Sequence, residues 1–441
     1  MRITHLSIQN YKNLKDFNWT IDAGYSIALI VGKNASGKSN LMEAILHIFA
    51  CVQRDVMQHT HFDYSIEYEI ETPNKHKVRL ESQGVKFSAW RDDEKVKDQQ
   101  AQVALLPSKI FAYYAGTSKR IEDTFRLYKN PPAFEYYTPT KYKFVLFALL
   151  ASPLDKIKKD FLQKEFGIEG LHDFSFKIQK PHQAIESTNT PTRDNFWNAP
   201  PDVLTLFEGF KALSSKSQKE KVFTTEKLAL KFDGEVINQI LDFPFLSDES
   251  DLFEKMIKAL ELGYIRDLTL NIKKTGVNEN IIFENFSEGE KQRLAIRGII
   301  ELYEGDETLY LLDEPDAFAH PRWQWEFIPD LERALGTYSQ VIYVTHSPLV
   351  LSSAKNNAFF MDSGEIYPAQ ETYGQSANVT LNKMEAQEIL QATEDDFATY
   401  IGLIEEGKGE SPEGVKLREE LEEKYPLNHP KFDRADMLIS Y

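Results

Sequence analysis

Four short stretches of this chain carry the residue types that chemistry needs. Gly32-Lys33-Asn34-Ala35-Ser36-Gly37-Lys38-Ser39 fits the pattern G-x-x-x-x-G-K-S/T, with Asn40 next in line. A glycine turn of this kind aims backbone N–H groups inward and feeds them into a helix amino end, where partial positive charge favours an anion. Lys38 then suits the β- and γ-phosphates of a nucleotide, and Ser39 a Mg²⁺ ion. Asp313-Glu314-Pro315 places two acids behind an apolar run. Phosphoryl transfer needs charge neutralisation and positioning more than covalent chemistry, so Asp313 suits a metal contact and Glu314 a base that orients water. In Thr345-His346-Ser347 the histidine ends a second apolar run, where it can polarise the transferring group. Phe286-Ser287-Glu288-Gly289-Glu290 has Ser287 and Glu290 at capping-box spacing, and Gly289 leaves that helix tip open as a second anion site. Two such sites are useful together only if they close on the same phosphate.

Elements that could position these residues follow from periodicity. Ile27–Val31 reads as a buried strand entering the glycine turn, and residues 40–49 continue as a helix with Leu41, Ala44, Ile45 and Ile48 on one face. Residues 60–115 alternate as antiparallel strands, of which Lys109–Tyr114 is the most apolar. Helices are expected at 143–150, 203–212 and 251–262, with a loop rich in Pro, Asn and Thr over 180–201. Strand character returns at 268–272 and 281–283, and Ser287 opens a helix to Tyr303. The runs 308–312 and 341–344 flank a helix over 323–335, the rhythm of a parallel α/β sheet. Two stripes mark the tail helices: Phe397, Tyr400, Ile401 and Ile404, then Leu417, Leu421 and Tyr425.

Composition narrows the class. A length of 441 residues at 42% hydrophobic excludes a disordered chain and points to more than one folded part. The longest apolar run, residues 144–151, is far shorter than the roughly 20 residues a membrane span needs. Cys51 alone cannot form an internal disulfide, and the first residues are too polar for a secretion signal, so the expected location is the cytoplasm. A net charge of −17 argues against a surface built wholly for nucleic acid, although a local basic groove would still admit DNA. Residues 376–441 hold fifteen acids against seven bases and read as a solvated helical appendage.

In this order the four stretches resemble the ABC-type ATPase family, with residues 287–290 where its signature sequence stands. The wording of residues 37–44, the Ser-Glu-Gly-Glu form and Asp313-Glu314-Pro315-Asp316-Ala317 ahead of His320-Pro321 are similar to its RecF, SMC and overcoming-lysogenization-defect branch. The likeness covers residues 1–125 and 265–370. It implies an α/β fold: an ABC-ATPase head of mixed and parallel sheet with flanking helices, a mainly helical inserted subdomain, and a helical carboxyl tail. The implied bounds are 1–125 and 266–375 for the head, 126–265 for the insert and 376–441 for the tail.

The resemblance further implies ATP and Mg²⁺ as cofactors and hydrolysis to ADP and phosphate. Glu314 and His346 would be catalytic. Gly32, Asn34, Ala35, Ser36, Gly37, Lys38, Ser39 and Asn40 would cradle nucleotide, and Ser39 and Asp313 would hold the metal. Heads would pair head to tail or in higher oligomers, so that Ser287, Gly289 and Glu290 of one subunit meet ATP on Lys38 of another. Asp316 would lie in the loop crossing that seam, with Lys12 and Asn13 near the α-phosphate or base. The family's strand-end glutamine has no counterpart here; Tyr114 stands in its region. The layout is similar to ATPase subunits of prokaryotic anti-phage systems such as Septu, which works with a separate HNH nuclease, and PARIS. The expectation is therefore an ATPase that gates a separate effector such as an HNH nuclease in antiviral defence, with no nuclease of its own and no membrane partner. A RecF-like repair ATPase that binds DNA directly is the alternative. A transporter motor fits least, because Lys38 and Ser287 stand 249 positions apart.

Overall fold

The strand Ile27–Val31 is buried at every position, as an unbroken apolar run with covered faces should be. It stands inside a seven-stranded sheet ordered Glu365–Pro368, Ala358–Asp362, Ile27–Val31, Gln340–Thr345, Thr308–Asp313, Lys109–Tyr114 and Phe134–Tyr137. Neighbours pair in parallel except for the hairpin of the first two. The computed structural model describes residues 1–53, 61–71, 74–84, 86–116, 119–127, 134–152, 156–181, 192, 194–214, 221–224, 227–277, 279, 281–305, 307–369, 372–384, 391–425 and 430–439. By its contacts the chain divides into two units, Met1–Gly374 and Gln375–Tyr441.

Register decides what the sheet presents. Thr345 lies opposite Val31, and Asp313 opposite Val344, so three adjacent strands end together. Their next residues, Gly32, Glu314 and His346, emerge along one carboxyl edge, where α/β sheets place their ligands.

A second sheet, antiparallel and six-stranded, runs Phe17–Thr20, Arg2–Gln9, Asp63–Ile70, His76–Gln83, Lys86–Arg91 and Glu94–Val96. The helix Lys38–Gln53 shares one apolar core with both sheets, including Ile66, Tyr68 and Leu80 on one and Leu309, Ile342 and Val344 on the other. That sandwich explains why Leu41, Met42, Ala44, Ile45, Leu46, Ile48 and Phe49 are all buried rather than a single stripe. The phosphate-loop helix is thereby clamped along its length.

In the inserted region helices predominate, and they pack on a sheet of which periodicity marked only the strands at 268–272 and 281–283. Its five strands run Lys221–Thr224, Lys227–Asp233, Ile168–Gln179, Ile265–Lys274 and Ile281–Ile282. Strand Ile168–Gln179 shifts register against Ile265–Lys274 at three places, which breaks the strict alternation a sequence reading depends on. Phenylalanines knit the region: Phe174 stacks on Phe232 at 4.7 Å, Phe176 on Phe210 at 4.7 Å, and Phe147 meets Phe174 edge-on at 5.0 Å. The helices expected here are Tyr142–Ala151, Pro201–Ser214 and Glu249–Glu261, with a further one at Lys156–Phe166. Half of the Pro-, Asn- and Thr-rich stretch at 180–201 lies outside the described residues.

Helix Tyr142–Ala151 contains the longest apolar run of the sequence, residues 144–151, and it packs against helix Glu288–Leu302. Gly298 makes the approach close: a Cβ there would stand 2.6 Å from Val145 Cγ1 and 2.9 Å from Leu149 Cδ1. In the unit Gln375–Tyr441 the two tail stripes face each other. Phe397, Tyr400, Ile404 and Leu421 are buried with Phe432, and Ile401, Leu417 and Tyr425 pack at the margin. Those side chains form the tail's own small core. Among the described residues no helix is long and apolar enough to cross a membrane.

Candidate active site

The glycine loop turns between Val31 and Lys38 with Ala35 at φ 64° and Gly37 at φ 114°. These left-handed conformations let successive N–H groups face inward and lead into the open amino end of helix Lys38–Gln53. Neighbours hold the loop's outer side. Ser36 offers its carbonyl to Asn13 Nδ2 at 3.0 Å and to the Gly364 N–H at 2.8 Å. Asn13 Oδ1 accepts from Asn40 Nδ2 at 2.7 Å, and Asn40 Oδ1 from Arg120 at 2.8 Å. Gly32 and Gly37 have no room for a side chain, since a Cβ would lie 2.1 Å from the Met361 carbonyl oxygen and 2.7 Å from Asn13 Nδ2.

Lys38 folds back over the loop and donates to the carbonyls of Gly32 and Lys33, each at 2.8 Å. Burial lowers its ammonium to about 8, against the pull of Asp313 and Glu314 in the other direction. The lysine thus carries weakened solvation and a partial loan of carbonyl oxygens, which an incoming phosphate can replace.

Asp313 closes the strand Thr308–Asp313 and is fully buried. Desolvation raises its carboxyl to about 6; the hydrogen bond from Ser39 works against the rise, and the charge of Glu314 adds to it. Its Oδ2 is buried without a hydrogen-bond partner. An orphaned carboxylate oxygen beside a serine hydroxyl at a phosphate loop is a donor set that fits a Mg²⁺ ion, whose preference is for hard oxygen ligands and retained waters.

Glu314 follows in a left-handed conformation, φ 53°, costly for a non-glycine residue by about 1–3 kcal/mol. Its N–H donates to the Val344 carbonyl at 2.8 Å, and its Oε1 lies 3.1 Å from His346 Nε2. That hydrogen bond, ahead of the opposing effect of burial, holds the Glu314 carboxyl below its usual range. Both side chains are part-exposed, so water reaches them. A negatively charged base with a ring nitrogen alongside can orient a nucleophilic water and steady the leaving charge.

Asp316 is turned inward: it accepts from Tyr343 Oη at 2.9 Å and Thr345 Oγ1 at 3.0 Å, and burial raises its carboxyl. The backbone around it, through Phe318, is what borders the helix tip. Lys12 is paired with Glu43 on the phosphate-loop helix, whereas Asn13 reaches the loop itself. Arg120 is a site neighbour that the sequence reading missed. It sits 80 positions beyond its partner Asn40, with no local pattern to announce it.

Ser287 caps the helix Glu288–Leu302 in a complete capping box: its Oγ accepts from the Glu290 N–H, and its N–H donates to Glu290 Oε2 at 3.0 Å. Against the opposing effect of burial, the Ser287 N–H and then the Lys274 ammonium at 3.1 Å hold the Glu290 carboxyl below its usual range. A Cβ on Gly289 would lie 2.6 Å from the Phe318 carbonyl oxygen. Among the described residues, no hydrogen bond or ion pair joins Ser287, Gly289 or Glu290 to the Lys38 loop. Within one chain, therefore, the loop, both acids and the histidine are brought together, and the serine-led tip is not joined to them.

A model of the AAA ATPase domain family matches residues 1–351. The probable ATPase of retron Vc95 from Vibrio cholerae serotype O1 biovar El Tor is 21% identical over a 434-residue alignment, covering 88% of this chain and 80% of that one. The DNA replication and repair protein RecF of Lactobacillus acidophilus is 44% identical over 45 residues, 10% of this chain and 12% of RecF. The SMC head domain from Thermotoga maritima superposes with a TM-score of 0.39 at 14% identity, covering 84% of this chain and 100% of that domain. With that family match over most of its length, the chain belongs to the AAA ATPase domain family.

Proposed function

We propose that this protein binds Mg-ATP on the Lys38 loop and hydrolyses it with Glu314 orienting the attacking water and His346 holding Glu314. Lys38 exchanges its bonds to Gly32 and Lys33 for β- and γ-phosphate oxygens, and the loop's N–H groups complete the cradle. Ser39 and Asp313 would hold Mg²⁺, which would supply neutralisation of phosphate charge. The observation that carries this reading is the orphaned Asp313 Oδ2 beside Ser39, with the Glu314–His346 pair on the adjacent strand ends.

Two heads pair head to tail, or assemble further, so that the tip led by Ser287 completes the site on a neighbour's Lys38 loop. The separation of tip and loop within one chain supports this arrangement. Nucleotide binding would close the seam and loss of the γ-phosphate would loosen it, a rigid-body switch that gates a separate effector such as an HNH nuclease in antiviral defence. Similarity to a retron's probable ATPase over most of both chains supports a role as the ATPase component of a larger system. Sedimentation of the Glu314→Gln protein tests the reading: Mg-ATP should convert monomer to dimer or larger, and a species unchanged by ATP would count against it.

The short RecF match favours one second reading, a repair ATPase acting on DNA directly. Duplex DNA would then stimulate hydrolysis, with a steep loss of stimulation as salt rises. A flat response leaves the effector reading in place, and the net charge of −17 supports that outcome.

A further inference from the structure

A buried phenol joins three elements that the site reading treats separately. Tyr113 lies on the strand Lys109–Tyr114, whose neighbour Thr308–Asp313 ends in the metal-site acid, and the register sets Tyr114 opposite Asp313. Its hydroxyl accepts from Gln292 Nε2 at 2.6 Å, and Gln292 is on the helix that Ser287 caps. The same hydroxyl is hydrogen-bonded by Tyr142, the first residue of the insert's buried helix Tyr142–Ala151. All three side chains are almost wholly buried, at 4%, 3% and 4% exposure for Tyr113, Gln292 and Tyr142. Burial raises the Tyr113 phenol, so it stays a neutral hydroxyl.

Packing gives this junction a mechanical meaning. Helix Tyr142–Ala151 and helix Glu288–Leu302 touch through Gly298 against Val145 and Leu149, too closely to slide independently. The two helices pack as a pair within the same unit as the nucleotide sheet. Tyr113 ties the sheet to that pair by a buried hydrogen bond, beside the ring contact of Phe111 with Tyr303 at 4.8 Å, and breaking that bond leaves unsatisfied polar groups. The strand Lys109–Tyr114 itself ends in a tyrosine, with no glutamine at its end to make the link.

We infer that Tyr113 is a positioning residue: its hydroxyl, held by Gln292 and Tyr142, transmits the state of the nucleotide edge to the signature helix and the insert together. The inference deepens the proposed ATPase mechanism and rests on it. Tyr113 itself has no role in holding ATP or the attacking water.

Tyr113→Phe removes the hydroxyl and keeps the ring. Steady-state hydrolysis and calorimetric ATP binding should show KM and affinity within about twofold of wild type, while kcat falls about fivefold or more, the range of a one-site coupling. In the Glu314→Gln background, the ATP-induced change in hydrogen–deuterium exchange over 142–151 should shrink correspondingly. Tyr142→Phe should reproduce the insert's share of the effect, and the double variant should be no worse than Tyr113→Phe alone, because the Tyr113 hydroxyl is the shared point of both bonds. Should Tyr113→Phe fold poorly, Tyr142→Phe carries the same test. Undiminished exchange response and kcat in both variants would overturn the joint alone. Wild-type protein that failed to bind ATP would overturn the nucleotide reading and the joint with it.

Discussion

The two anion sites of this head are built differently. The Lys38 loop is braced from outside by Asn13, Asn40, Arg120 and Gly364, and its two glycines are wedged against Met361 and Asn13. Its functional groups are under strain: Asp313 Oδ2 has no hydrogen-bond partner, Lys38 is desolvated, and Glu314 has a left-handed backbone. The Ser287 tip is at rest by comparison, with its serine, glutamate and lysine satisfied among themselves. A site poised for a ligand stores unsatisfied groups, whereas a surface that waits for a partner is stable alone. On the proposed function, the loop is the half prepared for chemistry and the tip the half prepared for assembly.

That contrast breaks most sharply at Lys38 and Glu314. Lys38→Ala should abolish ATP binding in a calorimetric titration. Glu314→Gln should bind ATP normally yet lose about 10²–10³ in turnover, the usual cost of a positioned transition-state group. Next in size come the glycines. Gly37→Ala forces strain of about 1–3 kcal/mol into the loop, which lowers ATP affinity by about 5–150-fold. Gly289→Ala sets a Cβ 2.6 Å from the Phe318 carbonyl oxygen, so it should destabilise the single chain itself, seen as a lower melting temperature.

Asp313 sharpens the idea of stored strain. Its folded pKa of about 6 exceeds its ordinary value, so the metal-free fold is progressively penalised as pH rises from about 4 to about 6, and fully above that. Asp313→Asn should therefore stabilise the nucleotide-free protein at pH 7.5 by about 3 kcal/mol, seen as a melting temperature several degrees higher, with a smaller gain at pH 5. Mg²⁺-dependent ATP binding by the wild type should weaken as pH falls through about 6, because the protonated carboxyl loses its metal affinity. His346→Ala removes the hydrogen bond that keeps the Glu314 carboxyl low, so the acidic limb of the kcat profile should move to higher pH. The smallest effect belongs to the tip: Ser287→Ala should cost about 1 kcal/mol of stability, a lost helix cap, and leave ATP affinity of the single chain unchanged.

What the sequence made legible was local. The glycine turn, the acid pair and the capping box each lie within eight residues, and buried strands such as Ile27–Val31 announce themselves as apolar runs. What it hid depends on long-range contacts or broken periodicity. Arg120 meets Asn40 only after the chain has crossed the antiparallel sheet, and Ile168–Gln179 loses its alternation at its register shifts. Asp316 is read as a seam residue by its motif, yet its carboxylate is held under the sheet edge by Tyr343 and Thr345, a burial that no local pattern encodes. The tail stripes were visible as stripes, but their mutual packing needed the fold.

Shared ownership of the ATP site can be tested by mixing two inactive proteins. Lys38→Ala has a dead loop and a sound tip; Ser287→Arg has a sound loop and a blocked tip. If each site is formed by two chains, the mixture should regain ATPase activity, since a mixed pair contains one site with both halves intact. A mixture as inactive as its components, with both variants folded, would mean that each chain hydrolyses ATP on its own.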